Sequence, residues 1–378
     1  MFPPQLVRYF VLRYTMSDDI VADCWGGMGS VPLESGLAGR FGVANDISPE
    51  AFAVMKAKVH PPSWSDLGDY LCSVESEIED WKEPQPELDS IGTSLEIPIY
   101  YHPKTLAELL KVRHIVQRDI ADSRGKNHSA SFVQGLMLGI LHGDRVESIS
   151  LPMDSSKAIS PTHVRDMTKK YPSKFVPEYK RHIVDSLRMK ARKVMRDPIP
   201  KFKSRVQNKD ASHFDAVDRI KLLITSPPYM RTHTYAYDNR IRLWFLGHQY
   251  KDIEKAMGMC QDPSRYFEGI ERVLKHMQEY MDDNSAAVVV FGDIRKKGKL
   301  VRLGEEFVDR WESLPNTELK VKEVITDRTQ TGRKRYYDVA QKGMRVERLI
   351  VLEKGNPQVY PIEPGWASQA IAAQRGVS

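Results

Sequence analysis

Cysteine is scarce in this 378-residue chain, and its three copies, Cys24, Cys72 and Cys260, show no paired spacing. Such a set suggests neither a disulfide framework nor a zinc site, and no metal is expected. Long apolar runs are missing as well. The longest, "SFVQGLMLGILHG" from Ser131 to Gly143, is too short to span a bilayer and reads as a buried helix. At the start, "MFPPQLVRYFVLRY" carries Arg8 and Arg13 inside its apolar stretch, unlike a secretory leader. A cytoplasmic protein without a membrane partner is therefore expected. No internal repeat or low-complexity tract is visible.

Charge is present, unevenly. The net charge is only +6, but Cys72 to Ser90 holds seven acidic residues against the single Lys82, with Pro84 and Pro86 among them. That stretch reads as a solvated connector. From Ser156 to Lys209 there are sixteen Lys and Arg against four Asp and Glu. A basic block of this size is the electrostatic footprint of a polyanionic partner. The plainer reading is a solvated helix face.

The most readable segment is "DIVADCWGGMGSVPLESGLAGRFGVANDISPEA", from Asp19 to Ala51. Ile20 to Ala22 reads as a short buried strand. Asp23 to Ser30 is a turn with glycines at 26, 27 and 29, Val31 to Gly39 has helical spacing, and Phe41 to Ala44 is a second strand leading to Asp46. Strand, glycine turn, helix, strand and acid open a doubly wound α/β sheet, whose ligand lies beyond the carboxyl ends of the strands. Glycine lets a cofactor approach the bare backbone there. Asp46 is placed to accept hydrogen bonds from two ribose hydroxyls. The glycine turn alone would suit a nicotinamide enzyme equally well.

A second stretch, "ITSPPYM" from Ile224 to Met230, follows the apolar strand "KLLI". Pro227 and Pro228 fix φ twice and remove two backbone donors, and each pushes the preceding residue extended. The backbone is rigid there, and Tyr229 is presented rather than packed into a helix. By itself this is a loop between strand and helix.

Together, "ADCWGGMGS" and "TSPPY" resemble the cofactor and catalytic motifs of amino-group DNA methyltransferases that use S-adenosylmethionine, most closely those acting on cytosine N4. The pattern departs from the family at Cys24 and Trp25, where proline and phenylalanine are usual. "FPPQLVRYF" (Phe2 to Phe10) resembles the segment that helps hold the methionine end, and "NKDASHFD" (Asn208 to Asp215) the segment that meets the adenine. "AAVVVFGDIR" and "RVERLIVLEK" resemble later core strands of the same sheet. The resemblance implies a Rossmann-like methyltransferase sheet with a closing antiparallel hairpin and a mainly helical insertion. It implies a cofactor set of Phe2, Pro3, Asp23, Trp25, Gly27, Gly29, Ser30, Asp46, Ile47, Asp210 and Ala211, and a catalytic set of Ser226, Pro227, Pro228 and Tyr229.

Each residue of the second motif has a task in that chemistry. The amino nitrogen of cytosine is a poor nucleophile, because its lone pair is delocalised into the ring. The Ser226 hydroxyl and the Pro227 carbonyl are candidate acceptors for its hydrogens, held rigid before substrate arrives. Tyr229 offers a face for an extruded base, worth roughly 1–3 kcal/mol, against the few kcal/mol that unstacking costs. A carbon-5 cytosine enzyme needs a nucleophilic cysteine after proline, and none of the three cysteines follows one. An N6-adenine enzyme, which usually carries Asp or Asn where Ser226 stands, and a catalytically idle DNA-binding relative are the alternatives.

The resulting division gives a catalytic domain of residues 1–60 and 205–355, a helical DNA-binding insertion of 61–204, and a tail of 356–378. Within the insertion, "PEYKRHIVDSLRMKARKVMRD" is expected to bury Ile183, Leu187 and Val194 and to turn Arg188, Lys190, Arg192 and Lys193 outward toward phosphate. Tyr235 and Tyr237 are expected near the flipped base. The hairpin tip, with Arg328, Arg333, Lys334 and Arg335, is expected to grip the DNA backbone. Double-stranded DNA is the expected partner, with a cognate restriction endonuclease beside it.

Overall fold

The computed structural model describes residues 3–153, 158–173, 175–196, 204–215, 219–228, 235–257, 263–296, 299–330 and 344–362. The chain divides into two compact units, one of Met1–Ile47, Lys201–His233 and Gly258–Ser378, the other of Ser48–Pro200 and Thr234–Met257. The first unit opens with α1 (Pro4–Tyr14), β1 (Ile20–Asp23), α2 (Ser30–Leu37) and β2 (Phe41–Asn45). The second supplies α3 (Pro49–Val59), α4 (Trp64–Glu79), α5 (Ser90–Ser94), α6 (Pro103–Asp122), α7 (His128–Ile140), α8 (Pro161–Lys170) and α9 (Ile183–Val194). β3 (Arg205–Gln207) and β4 (Ile220–Thr225) return to the first unit, and α10 (Tyr235–Asp238), α11 (Arg240–Phe245) and α12 (Tyr250–Ala256) to the second. The first unit ends with α13 (Pro263–Gln278), β5 (Met281–Gly292), β6 (Ile294–Lys296), β7 (Lys299–Val301), α14 (Leu303–Ser313), β8 (Lys320–Gln330) and β9 (Met344–Lys354).

The first unit is built on one seven-stranded sheet in the order β3-β2-β1-β4-β5-β9-β8. β3, β2, β1, β4 and β5 run parallel, and β9 and β8 close the edge as an antiparallel hairpin. This is the doubly wound, Rossmann-like sheet that the sequence predicts. The strand order reverses between β1 and β4, and in such sheets ligands bind beside the carboxyl ends at that point. β5 shows why the sheet is central. Ala287, Val289 and Phe291 join a core with Phe267, Phe307 and Trp311, while Ala286, Val288 and Val290 join a second core with Val7 and Phe10. Both faces are covered, so the strand reads as one unbroken apolar run. Each such large side chain contributes about 1.5–3 kcal/mol on burial. α1 starts with Pro4 in its first turn and lays Val7, Phe10, Val11 and Tyr14 along one stripe against the sheet. α2 packs onto β2 so closely that a Cβ at Gly42 would stand 2.7 Å from the Pro32 Cα.

The second unit is helical around Leu109, Val116, Val133, Leu136, Leu187 and Trp244. The Trp244 indole donates to Asp89 Oδ1 at 3.0 Å, and Asp89 also holds Arg113 at 2.8 Å. The unit's bounds differ from the division expected at 60 and 204: α3 and α10 to α12 belong to the helical unit instead. Cys72 to Glu79 is not a connector but the second half of α4. Leu67, Leu71 and Val74 form a buried stripe, and Ser63 caps the first turn by accepting from the Asp66 amide at 3.1 Å. Arg328 lies within β8 opposite Val346, not in the hairpin tip. Among the described residues, no helix is long and apolar enough to cross a membrane.

Candidate active site

The site is built where β1, β2 and β4 end. Asp23, the last residue of β1, is 1% exposed. Its Oδ1 accepts from the Thr225 hydroxyl at 2.7 Å and from the Trp25 amide at 3.1 Å. Burial pushes this carboxyl up to about 7, with the hydroxyl and the amide pulling the other way. The glycine turn follows. Gly27 and Gly29 have φ of 50° and 76°, a region that side chains rarely adopt, and Gly29 precedes Ser30 at the start of α2. Among the described residues, a Cβ on Gly27 would meet only the Trp25 carbonyl, 4.0 Å away.

Asp46, just past β2, accepts from the Gly27 amide through Oδ2 at 2.9 Å. The Gly26 amide donates to the Asn45 carbonyl at 2.7 Å. The acid expected to meet a ribose is thus bonded into the turn itself, and its own amide donates to the Gln207 carbonyl of β3 at 3.2 Å. Asn45 is fully buried, and its side chain donates to the carbonyls of Cys24 (3.3 Å) and Lys209 (3.0 Å) while accepting from the Lys209 amide (3.1 Å). Asn208 donates to the carbonyls of Asp46 and Ile47 at 2.8 and 3.0 Å. These bonds bring the segment of Asp210 and Ala211 beside the glycine turn. Asp210 is exposed and caps its own short helical turn, Oδ1 accepting from the Ser212 amide at 2.8 Å. Ala211 is buried, and Pro3 is exposed at the cap of α1.

Ser226 follows the last residue of β4 and is half-buried, its hydroxyl donating to the Val290 carbonyl of β5 at 3.4 Å. That bond occupies the hydroxyl hydrogen and leaves the oxygen as an acceptor. Pro227 is buried and Pro228 half-buried. Tyr229 and Phe2 lie outside the described residues. Cys24, behind the turn, is fully buried, and burial holds its thiol well above its ordinary range. It is inert as a nucleophile. Among the described residues no group of three or more His, Cys, Asp or Glu is placed to hold a metal ion.

No protein-family model matches the chain, and no curated protein does. Among solved structures, TrmN from Thermus thermophilus is 9% identical, with a TM-score of 0.35, over 93% of this chain. The match spans 49% of TrmN, about half its length. A TehB-like SAM-dependent methyltransferase from Corynebacterium glutamicum is 8% identical, with a TM-score of 0.33, over 93% of this chain and 86% of that one. The rRNA methyltransferase aviRa from Streptomyces viridochromogenes is 10% identical, with a TM-score of 0.32, over 93% and 85%. Scores this low carry no argument about this chain.

The residues expected to face DNA have different surroundings from those foreseen. Arg188 forks onto Glu75 of α4, at 2.9 and 2.7 Å, rather than pointing outward. Lys193 and Lys190 close on Glu147, at 2.6 and 3.7 Å, and that carboxylate is fully buried. Arg192 stays exposed, and among the described residues no ion pair holds it. Val194 is 52% exposed, because the buried stripe passes from Ala191 to Met195 rather than to Val194. In the helical unit, Tyr237 lies under the Arg240 guanidinium at 4.3 Å and edge-on to Tyr250. Tyr235 opens α10 and is half-buried. Arg333, Lys334 and Arg335 lie outside the described residues.

The scaffolding polar residues Asn45, Asn208 and Thr225 were not singled out from the sequence. A polar residue in the last position of an apolar strand, as at Asn45 and Thr225, is the signal that could have found two of them.

Proposed function

We propose that the chain is an S-adenosylmethionine-dependent DNA methyltransferase acting on the N4 amino group of a flipped cytosine. The observation that supports this best is the pairing of two turns at the carboxyl ends of the neighbouring strands β1 and β4. The glycine turn, with Asp46 bonded into it, lies hydrogen-bonded beside the rigid Ser226-Pro227-Pro228 turn through Asp23 and Thr225. The residues fit that cofactor: Asp46 for the ribose, the glycine backbone at Gly27, and Asp210 with Ala211 for the adenine. When bound, the cofactor supplies a methyl group on a sulfonium, an electrophile strong enough that no covalent enzyme intermediate is needed.

The protein's own part is orientation and acceptance. With its hydrogen directed at Val290, the Ser226 oxygen accepts from the target amino group and draws the nitrogen toward tetrahedral geometry. The Pro227 carbonyl is the second acceptor, and Tyr229 the stacking surface. Duplex DNA, the helical unit as recognition region, and a restriction endonuclease as companion belong to the same reading.

DNA from a host expressing the protein should release N4-methylcytosine on digestion and mass analysis, and Ser226→Ala should abolish that signal. N6-methyladenine would correct the base and spare the rest of the site. 5-Methylcytosine would remove the mechanism, since none of the three cysteines follows a proline as the attacking thiol of a carbon-5 enzyme does.

A further inference from the structure

Thr225 has one hydroxyl and uses it in two directions. It donates to Asp23 Oδ1 at 2.7 Å and accepts from the Trp25 amide at 3.3 Å. The residue is fully buried at the end of β4, whose neighbour β1 ends at Asp23 in the parallel register Ala22 opposite Leu223. On one side the next residues are Ser226 and two prolines, which pass a displacement on without bending. On the other side Trp25 opens the glycine turn, whose Gly27 amide is held by Asp46. A continuous path of short bonds thus runs from the substrate turn to the cofactor carboxylate.

We propose that Thr225 is a positioning residue that couples the two turns, so that filling the glycine turn sets the place of the Ser226 acceptor. The idea rests on the cofactor reading above for the identity of the first ligand. A rigid element with two bonded neighbours transmits occupancy, and any such coupling is reciprocal: a base on the Ser226 turn would tighten the cofactor by the same factor. Serine at this position keeps both bonds. Valine has the same shape and keeps neither, leaving Asp23 one donor short in a buried place.

The experiment follows the amide resonances of Ser226 and Gly27 in serine- and glycine-labelled protein titrated with S-adenosylhomocysteine. In the wild type and in Thr225→Ser, both resonances should shift together. In Thr225→Val, Gly27 should still shift, Ser226 should not, and affinity should fall on the order of tenfold. A Ser226 resonance that responds equally in Thr225→Val would overturn the coupling while leaving the cofactor reading in place. So would failure of Thr225→Ser to restore the response. A wild type in which Gly27 does not respond would remove the cofactor reading, and the coupling with it.

Discussion

Asp23 is an acid in a place that favours its neutral form. Its carboxyl is raised from 3.8 to about 7, first by burial, with the Thr225 hydroxyl and Trp25 amide opposing. An acid whose folded value lies above its unfolded value binds more protons in the folded state. Its contribution therefore favours folding at low pH and is lost as pH rises from about 4 to about 7. The span corresponds to a loss on the order of 4 kcal/mol. Asp23→Asn keeps an oxygen for both donors and removes the titration. Denaturant melts across that range should show the variant gaining on the wild type up to about pH 7 and then running parallel to it. Parallel curves throughout would mean that Asp23 is not protonated in the folded protein. The residue was legible in the sequence as a motif position, but its burial was not. Only the register of β4 beside β1 places Thr225 over it.

Helix α9 shows where legibility stops at the scale of an element. Its apolar stripe at Ile183, Leu187 and Ala191 was readable from spacing, and so was the clustering of basic residues on the other face. Their partners were not, because Glu75 stands 113 residues before Arg188, in a helix whose acidic sequence reads as a connector. Apolar periodicity reports a buried face, whereas an ion pair between distant elements leaves no local pattern. Two neighbouring substitutions should therefore act differently. Arg188→Ala breaks a half-exposed fork and should cost about 1 kcal/mol of stability, with little change in the salt dependence of DNA binding. Arg192→Ala should leave the melting temperature alone and reduce the salt slope by about one phosphate contact, roughly 0.9. Thermal melts and anisotropy titrations at several salt concentrations separate the two, and equal behaviour would contradict the assignment.

Over the whole molecule, the strand, turn and acid of the sheet were legible because a doubly wound fold repeats its signals at strand ends. The surface charge was less so. Of sixteen basic residues between Ser156 and Lys209, twelve are among the described residues, and hydrogen bonds or ion pairs within the protein hold eight of those: Arg165, Lys180, Arg181, Arg188, Lys190, Lys193, Arg205 and Lys209. With Arg333, Lys334 and Arg335 replaced by alanine, the salt slope for DNA should be no steeper than about −7, where all sixteen would give about −14. A steeper slope would show that these pairs open on binding. The division of the chain has a consequence during synthesis. β2 ends at Asn45 and its neighbour β3 begins at Arg205, 160 residues later. At about 5–20 residues per second, the first two strands wait roughly 8–30 s for a partner on that side. The helical unit cannot finish in the interval either, since Ile241, Trp244 and Phe245 of its core emerge only after β4. Each unit is held open by a segment of the other's chain, so a ribosome pausing before Trp244 leaves two unfinished cores at once. Apolar surface exposed in this way is the kind that chaperones shield until the last crossing is made.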